Sequence, residues 1–291
     1  MLKINNISKG FGETEVLKDL NLEINESSIF GLVGVNGAGK STLLRCINGI
    51  YKPETGSIEF EGRDTYEDVE VRKEIFFAND EPYYPLASTL KSLKEFYSSY
   101  YDLDEEIYHR TLKEFGLDEN KQISSFSKGM KRQALLLFAL SVRPKLLLLD
   151  EAFDGLDPLV RHKLKKSLYD FIEDNGSIVI ISSHNLKELE DICDSFGILE
   201  NGHISTYGDL LESKQNINKY QVAFRETVNE SIFDSFNVIQ MNKEGSVYSL
   251  VIKGNREEIM EELRKYDPVV LDCLSVNFEE LFIYEHEGGE K

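Results

Sequence analysis

The sequence predicts an α/β fold: a mainly parallel sheet covered by helices, with an N-terminal antiparallel portion, a helical insertion and a small C-terminal α/β unit. Three observations predict it. Short apolar runs alternate with helical patterns, which sets strands parallel and lays helices over both faces. One run, Ile29-Phe30-Gly31-Leu32-Val33, ends in a glycine-rich loop that opens a helix. Another, Leu146 to Leu149, ends in two adjacent carboxylates, Asp150-Glu151.

Taken in order, Leu2 to Ile7 and Val16 to Ile24 alternate as half-buried antiparallel strands do. The buried strand 29–33 follows, then a helix over Ser41 to Ile50, then a turn and edge strand from Gly56 to Gly62. From residue 80 to about 142 the period becomes helical, with Leu90, Leu93, Phe96 and Tyr97 on one face. Leu146 to Leu149 is a strand, Leu159 to Glu173 a helix and Ile178 to Ile181 a second buried strand. Asn201-Gly202 between two short strand-like runs is a hairpin signal. The expected boundary falls at 211/212. Beyond it come a strand at Gln221 to Phe224, a helix at Asn229 to Ser235 and a hairpin about Gly245. A charged helix at Glu257 to Lys265 and a strand at Val269 to Val276 complete a small split α/β sandwich.

Composition excludes some partners. The 291 residues carry 52 Asp plus Glu against 33 Lys plus Arg, a net charge of -19, so the chain repels phosphate backbones and no nucleic-acid partner is expected. No apolar run approaches the roughly 20 residues that span a bilayer. Met1-Leu2-Lys3 runs straight into a strand pattern, so no leader is expected. Cys46, Cys193 and Cys273 lie far apart, which reads as free thiols in a reducing cytosol.

The chemistry is concentrated in two motifs. Gly34-Val35-Asn36-Gly37-Ala38-Gly39-Lys40-Ser41-Thr42 matches the phosphate-binding P-loop pattern and sits between a strand and a helix, as that pattern requires. Its glycines let backbone N–H groups approach phosphates, and the helix N-terminus adds partial positive charge. Lys40 is expected to reach the β- and γ-phosphates of ATP, and the Ser41 hydroxyl to ligate Mg²⁺. An incidental lysine in a glycine-rich turn is the alternative, and the complete pattern outweighs it. Asp150 and Glu151 end a buried strand at the ligand edge of a parallel sheet, so Asp150 is expected to serve Mg²⁺, through water, and Glu151 to polarise the attacking water. His184 closes the strand that begins at Ile178 and ends at the same edge, within reach of a γ-phosphate; taken alone, a histidine at a strand end reads first as a satisfied structural residue.

With these motifs in place, Phe126-Ser127-Lys128-Gly129-Met130 resembles the signature loop of the ABC ATPase family, usually Leu-Ser-Gly-Gly-Gln. Gly155-Leu156-Asp157 resembles the family's D-loop, and Phe11 in Lys9-Gly10-Phe11-Gly12 resembles the aromatic that stacks on adenine. The resemblance covers about the first 210 residues. It implies an ATPase that uses ATP and Mg²⁺ and that pairs head to tail with a second cassette, as a homodimer or a heterodimer. It assigns Phe11 and Val16 to nucleotide binding, Ser127, Gly129 and Asp157 to the nucleotide of the partner cassette, and Glu151 with His184 to catalysis. A transmembrane permease subunit is the implied partner, with this chain cytoplasmic and peripheral on the inner face of the membrane.

Departures from the pattern matter too. Asp80 stands where the family usually has glutamine, with two readings: an outer Mg²⁺ or water ligand, or the cap of a local turn with Asn79 and Pro82. The Ser-Lys-Gly-Met signature resembles export-type cassettes with separate membrane subunits, as does the ending Ser275-Val-Asn-Phe-Glu-Glu-Leu-Phe-Ile. A soluble ABC machine acting on ribosomes or DNA is disfavoured by the single P-loop and the short span from Lys40 to Ser127. A cassette that only senses ATP remains a rival. The aromatic cluster Tyr83, Tyr84, Phe96, Tyr97, Tyr100 and Tyr101 reads first as core and rim, and second as a groove for a short helix of a membrane subunit.

Overall fold

The computed structural model describes residues 1–284 apart from 81, 83, 154, 155, 211, 212, 214, 215, 227, 278, 279 and 281–283. The expected boundary at 211/212, Tyr83 of the aromatic cluster, Gly155 of the D-loop and part of the C-terminal tail motif lie outside the described residues. The chain packs as two compact units, Met1–Tyr207 and Gly208–Lys291.

In the first unit, β1 (Leu2–Phe11) pairs antiparallel with β2 (Thr14–Ile24) and with β4 (Thr55–Phe60). The expected edge at 56–62 is corrected, because a two-residue strand β5 (Arg63–Asp64) pairs outside β4. A second, six-stranded sheet holds β3 (Ser28–Val33), β6 (Ile75–Ala78), β7 (Leu146–Asp150), β8 (Ile178–Ser183), β9 (Ser195–Glu200) and β10 (His203–Asp209), in the order β10-β9-β3-β8-β7-β6. The pairs β3–β8, β3–β9, β7–β8 and β6–β7 are all parallel. Strands buried on both faces read as continuous apolar runs, and Leu146 to Leu149 are fully buried. The Asn201-Gly202 turn between β9 and β10 has positive φ at both residues, 50° and 88°, as a two-residue hairpin turn needs.

Helices α1 (Lys40–Ile47) and α2 (Val69–Lys73) precede β6. Then α3 (Leu90–Tyr97), α4 (Glu105–Phe115) and α5 (Lys128–Val142) fill the stretch between β6 and β7. α6 (Pro158–Asn175) and α7 (Leu186–Leu189) follow β7 and β8. The face expected on α3 is half right: Leu90 and Leu93 are buried, but Phe96 is 55% exposed.

The second unit is one sheet in the order β12 (Val238–Glu244), β13 (Val247–Lys253), β11 (Ile217–Ala223), β14 (Val270–Leu274), antiparallel throughout. A 3₁₀ turn, Glu230–Phe233, replaces the helix expected at 229–235, and α8 (Arg256–Arg264) lies between β13 and β14 as expected. Tyr220, Val222, Tyr248, Leu250 and Leu263 close its core.

Candidate active site

Parallel pairing brings the ends of four strands to one edge. Val33 lies opposite Ser183, Asp150 opposite Ser182 and Ala78 opposite Leu149. Everything that follows these strands opens onto the same edge: the loop 34–39, Glu151, His184 and Asp80.

The loop is held open by glycine. Gly39 has φ 108°, a conformation costly for any L side chain, and a Cβ there would lie 3.1 Å from side-chain carbons of Val16 and Leu17. At Gly34 a Cβ would meet the Leu199 carbonyl oxygen at 2.6 Å. Gly39 caps α1 without a side-chain hydrogen bond, and the first turn of the helix holds no acidic residue. That helix end therefore presents N–H groups and positive dipole to an anion. Val35, Asn36 and Gly37 are exposed along the rim of an open cavity of about 480 Å³ that also touches Val16, Ala38 and Gly202. Thr42, in the same first turn, is half-buried.

Lys40 is 5% exposed. Its Nζ donates to the Gly34 carbonyl at 2.6 Å and lies 3.2 Å from Glu151 Oε1. The other carboxylate oxygen of Glu151 lies 2.9 Å from His184 Nδ1. An ionised carboxylate only accepts, so the proton of this bond belongs to Nδ1. Sequence separations of 111 and 33 residues are thus closed into one Lys40–Glu151–His184 cluster at the mouth of the glycine-rich loop.

Glu151 is also unusual in its backbone. Its φ is 47°, in the left-handed region, at a cost of about 1–3 kcal/mol for a residue with a side chain. Its N–H donates to Ser182 Oγ at 3.0 Å, and Ser182 Oγ donates to Asp150 Oδ1 at 2.6 Å. Asp150 is 2% exposed. Ser182 therefore ties the Glu151 backbone to the Asp150 carboxylate, a role the sequence hides because its register against β7 is not readable locally.

Asp80 has a partner neither sequence reading anticipated. Its Oδ1 accepts from Arg132 Nη2 at 2.5 Å, and Arg132 Nη1 donates to the Glu151 backbone carbonyl. Arg132 sits on α5, five residues beyond Ser127, where a charged side chain among buried leucines is the one signal that points to it.

The residues expected to serve a second cassette lie at the surface. Ser127 is exposed and its Oγ caps α5 by accepting from the Met130 N–H at 3.2 Å; Gly129, in the first turn of that helix, is half-buried. Asp157 is exposed and caps α6 through the N–H groups of Leu159 and Val160. Phe11 is 47% exposed, with Tyr51 edge-on at 5.3 Å and Lys9 Nζ 5.4 Å from its ring centre. Tyr51 follows α1, so the Phe11 ring packs against a residue tied to the helix that begins at Lys40.

Ser41 and Asp150 are hard oxygen donors of the kind Mg²⁺ takes, and they fit its habit of using one or two protein groups with phosphate and water completing the shell. No group of three or more His, Cys, Asp or Glu side chains that could hold a metal occurs among the described residues.

The family model described as "ABC transporter" matches residues 17–154. The chain is 32% identical to the ABC transporter ATP-binding protein YtrB of Bacillus subtilis (strain 168) over 293 residues, covering 100% of both chains. It is 30% identical to the methionine import ATP-binding protein MetN of Clostridium tetani, covering 96% of this chain and 94% of that one. A solved structure described as the ATP binding subunit of an ABC transporter superposes with a TM-score of 0.68 at 31% identity, over 74% of this chain and 92% of the other.

Proposed function

The chain belongs to the ABC transporter family of ATP-binding proteins, and from that premise we propose that it exports its cargo through a separate permease by pairing two cassettes over ATP. As a member it is an ATPase subunit that powers transport. The observation that carries the mechanism is the Lys40–Glu151–His184 cluster.

ATP phosphates compete with Glu151 for Lys40. The triphosphate takes the Lys40 ammonium and the N–H groups at the start of α1, while Phe11 and Val16 receive the base. Glu151, released from Lys40 and still oriented by the Nδ1–H of His184, accepts the proton of the attacking water as general base. Ser41 and Asp150 would hold Mg²⁺, which would supply positive charge against the terminal phosphates. Ser127, Gly129 and Asp157, on the surface of one cassette, complete the nucleotide site of the other; the exposed rim at 35–37 supports that arrangement.

No described helix is long and apolar enough to cross a membrane, so the membrane path is assigned to the permease. We place its docking helix in a cavity of about 610 Å³ lined by Val69, Arg72, Phe96, Tyr97, Tyr100 and Tyr101. Phe96 and Tyr100 are 55% and 65% exposed and meet in a tilted contact at 5.3 Å, and exposed aromatics with a wet edge suit an interface. Arg72 gives this rim positive charge on an acidic chain, whereas Lys73 is paired with Glu70 at 2.7 Å. The double variant Phe96→Ala/Tyr100→Ala should keep its basal ATPase and fail to co-purify with the permease; undiminished co-purification would remove the groove from the account. Export is supported by the Ser-Lys-Gly-Met signature. Proteoliposomes with the ATP site outward should therefore accumulate cargo in the lumen, and efflux from the lumen would reverse the direction.

A further inference from the structure

Arg132 carries a charge that the fold keeps from water. It is 4% exposed, on the inward face of α5. Its guanidinium forks: Nη2 reaches Asp80 just beyond β6, and Nη1 reaches the carbonyl of Glu151 just beyond β7. β6 and β7 are adjacent parallel strands, so one side chain of the signature helix ties together two strand ends at the catalytic edge. The Glu151 carbonyl belongs to a residue in the left-handed region whose N–H is already fixed by Ser182. With Arg132 on the carbonyl and Ser182 on the N–H, the backbone of Glu151 is held on both flanks, and the carboxylate it aims is the one between Lys40 and His184.

We propose that Arg132 is a positioning residue for hydrolysis: it locks the Glu151 backbone in its reactive orientation, and Asp80 serves to hold the guanidinium rather than the metal. The inference rests on reading Glu151 as the base. The carboxylate at position 80 and the arginine at 132 form one unit, which moves Glu151 when α5 moves relative to β6. Arginine is required because a planar fork reaches two acceptors at fixed angles, whereas a lysine keeps the charge and reaches one.

The test compares the parent with Arg132→Lys, Asp80→Asn, the double variant and Glu151→Gln, all assayed well below their melting temperatures. Asp80 is 44% exposed, so Asp80→Asn preserves the fold even if the arginine variant does not. Arg132→Lys and Asp80→Asn should each lower kcat roughly 10-fold, as misplacement of a reacting group does, with KM for ATP and half-saturating Mg²⁺ unchanged. The double variant should be no slower than the slower single one, because both changes break one unit. Parent-like kcat in both single variants, or losses that multiply, would overturn the proposal. A raised Mg²⁺ requirement in Asp80→Asn would overturn it in favour of a metal ligand. If Glu151→Gln abolishes turnover while the others keep parent rates, this inference fails alone; if Glu151→Gln turns over normally, the base assignment fails with it.

Discussion

Glu151→Gln should bind ATP at least as tightly as the parent and turn it over at least about 100-fold more slowly, the loss expected when a general base is removed. The geometry explains both halves. Glu151 Oε1 is 3.2 Å from Lys40 Nζ, so the amide frees that ammonium for phosphate and takes a negative charge away from where the γ-phosphate arrives. The amide keeps the shape of the carboxylate and still accepts from His184 Nδ1, so the site is preserved while its basicity is lost. Bound but uncleaved ATP should then hold two cassettes together, visible as a dimer by sedimentation. Unchanged phosphate release would remove Glu151 from catalysis.

Lys40→Ala should weaken ATP binding by about 10- to 150-fold, equivalent to the roughly 1.5–3 kcal/mol of a lost charge-assisted hydrogen bond. The effect is large here because the chain carries -19 net charge and the cradle has little else to oppose it. A second consequence follows from burial. Glu151 has a side chain only 15% exposed, and without Lys40 its remaining side-chain partner among the described residues is His184. Thermal stability should fall alongside affinity, and restoring it should take correspondingly more ATP. Calorimetry giving parent-like affinity would contradict the assignment of Lys40 to phosphate.

The two predictions depend on different levels of legibility. The glycine-rich loop, β3 and α1 are readable because their chemistry is local: each glycine answers to its own φ or to a close approach, and the lysine follows directly. β7 and β8 are readable as apolar runs, and the Asn201-Gly202 turn from its own dihedral demand. β6 is not readable. Ile75 to Ala78 is four residues between Arg72-Lys73-Glu74 and Asn79-Asp80, too short to show a period, and it becomes a strand only by lying parallel to β7. For the same reason Asp80 could be placed near the site but not given its partner. Arg132 and Ser182 are invisible for a related reason: their roles exist only in the register between strands and across the gap from α5 to the sheet. Phe96 shows the limit of periodicity itself, since a helical stripe marks what is apolar and not which part of it the neighbouring elements leave uncovered.

The most direct measurement is phosphate release by the chain bound to its permease in a lipid bilayer, with the parent, Glu151→Gln and the free subunit run side by side. The account predicts that the parent complex turns over ATP faster than the free subunit and that the Glu151→Gln complex assembles normally but releases almost no phosphate. Equal rates for the parent and Glu151→Gln complexes would contradict it.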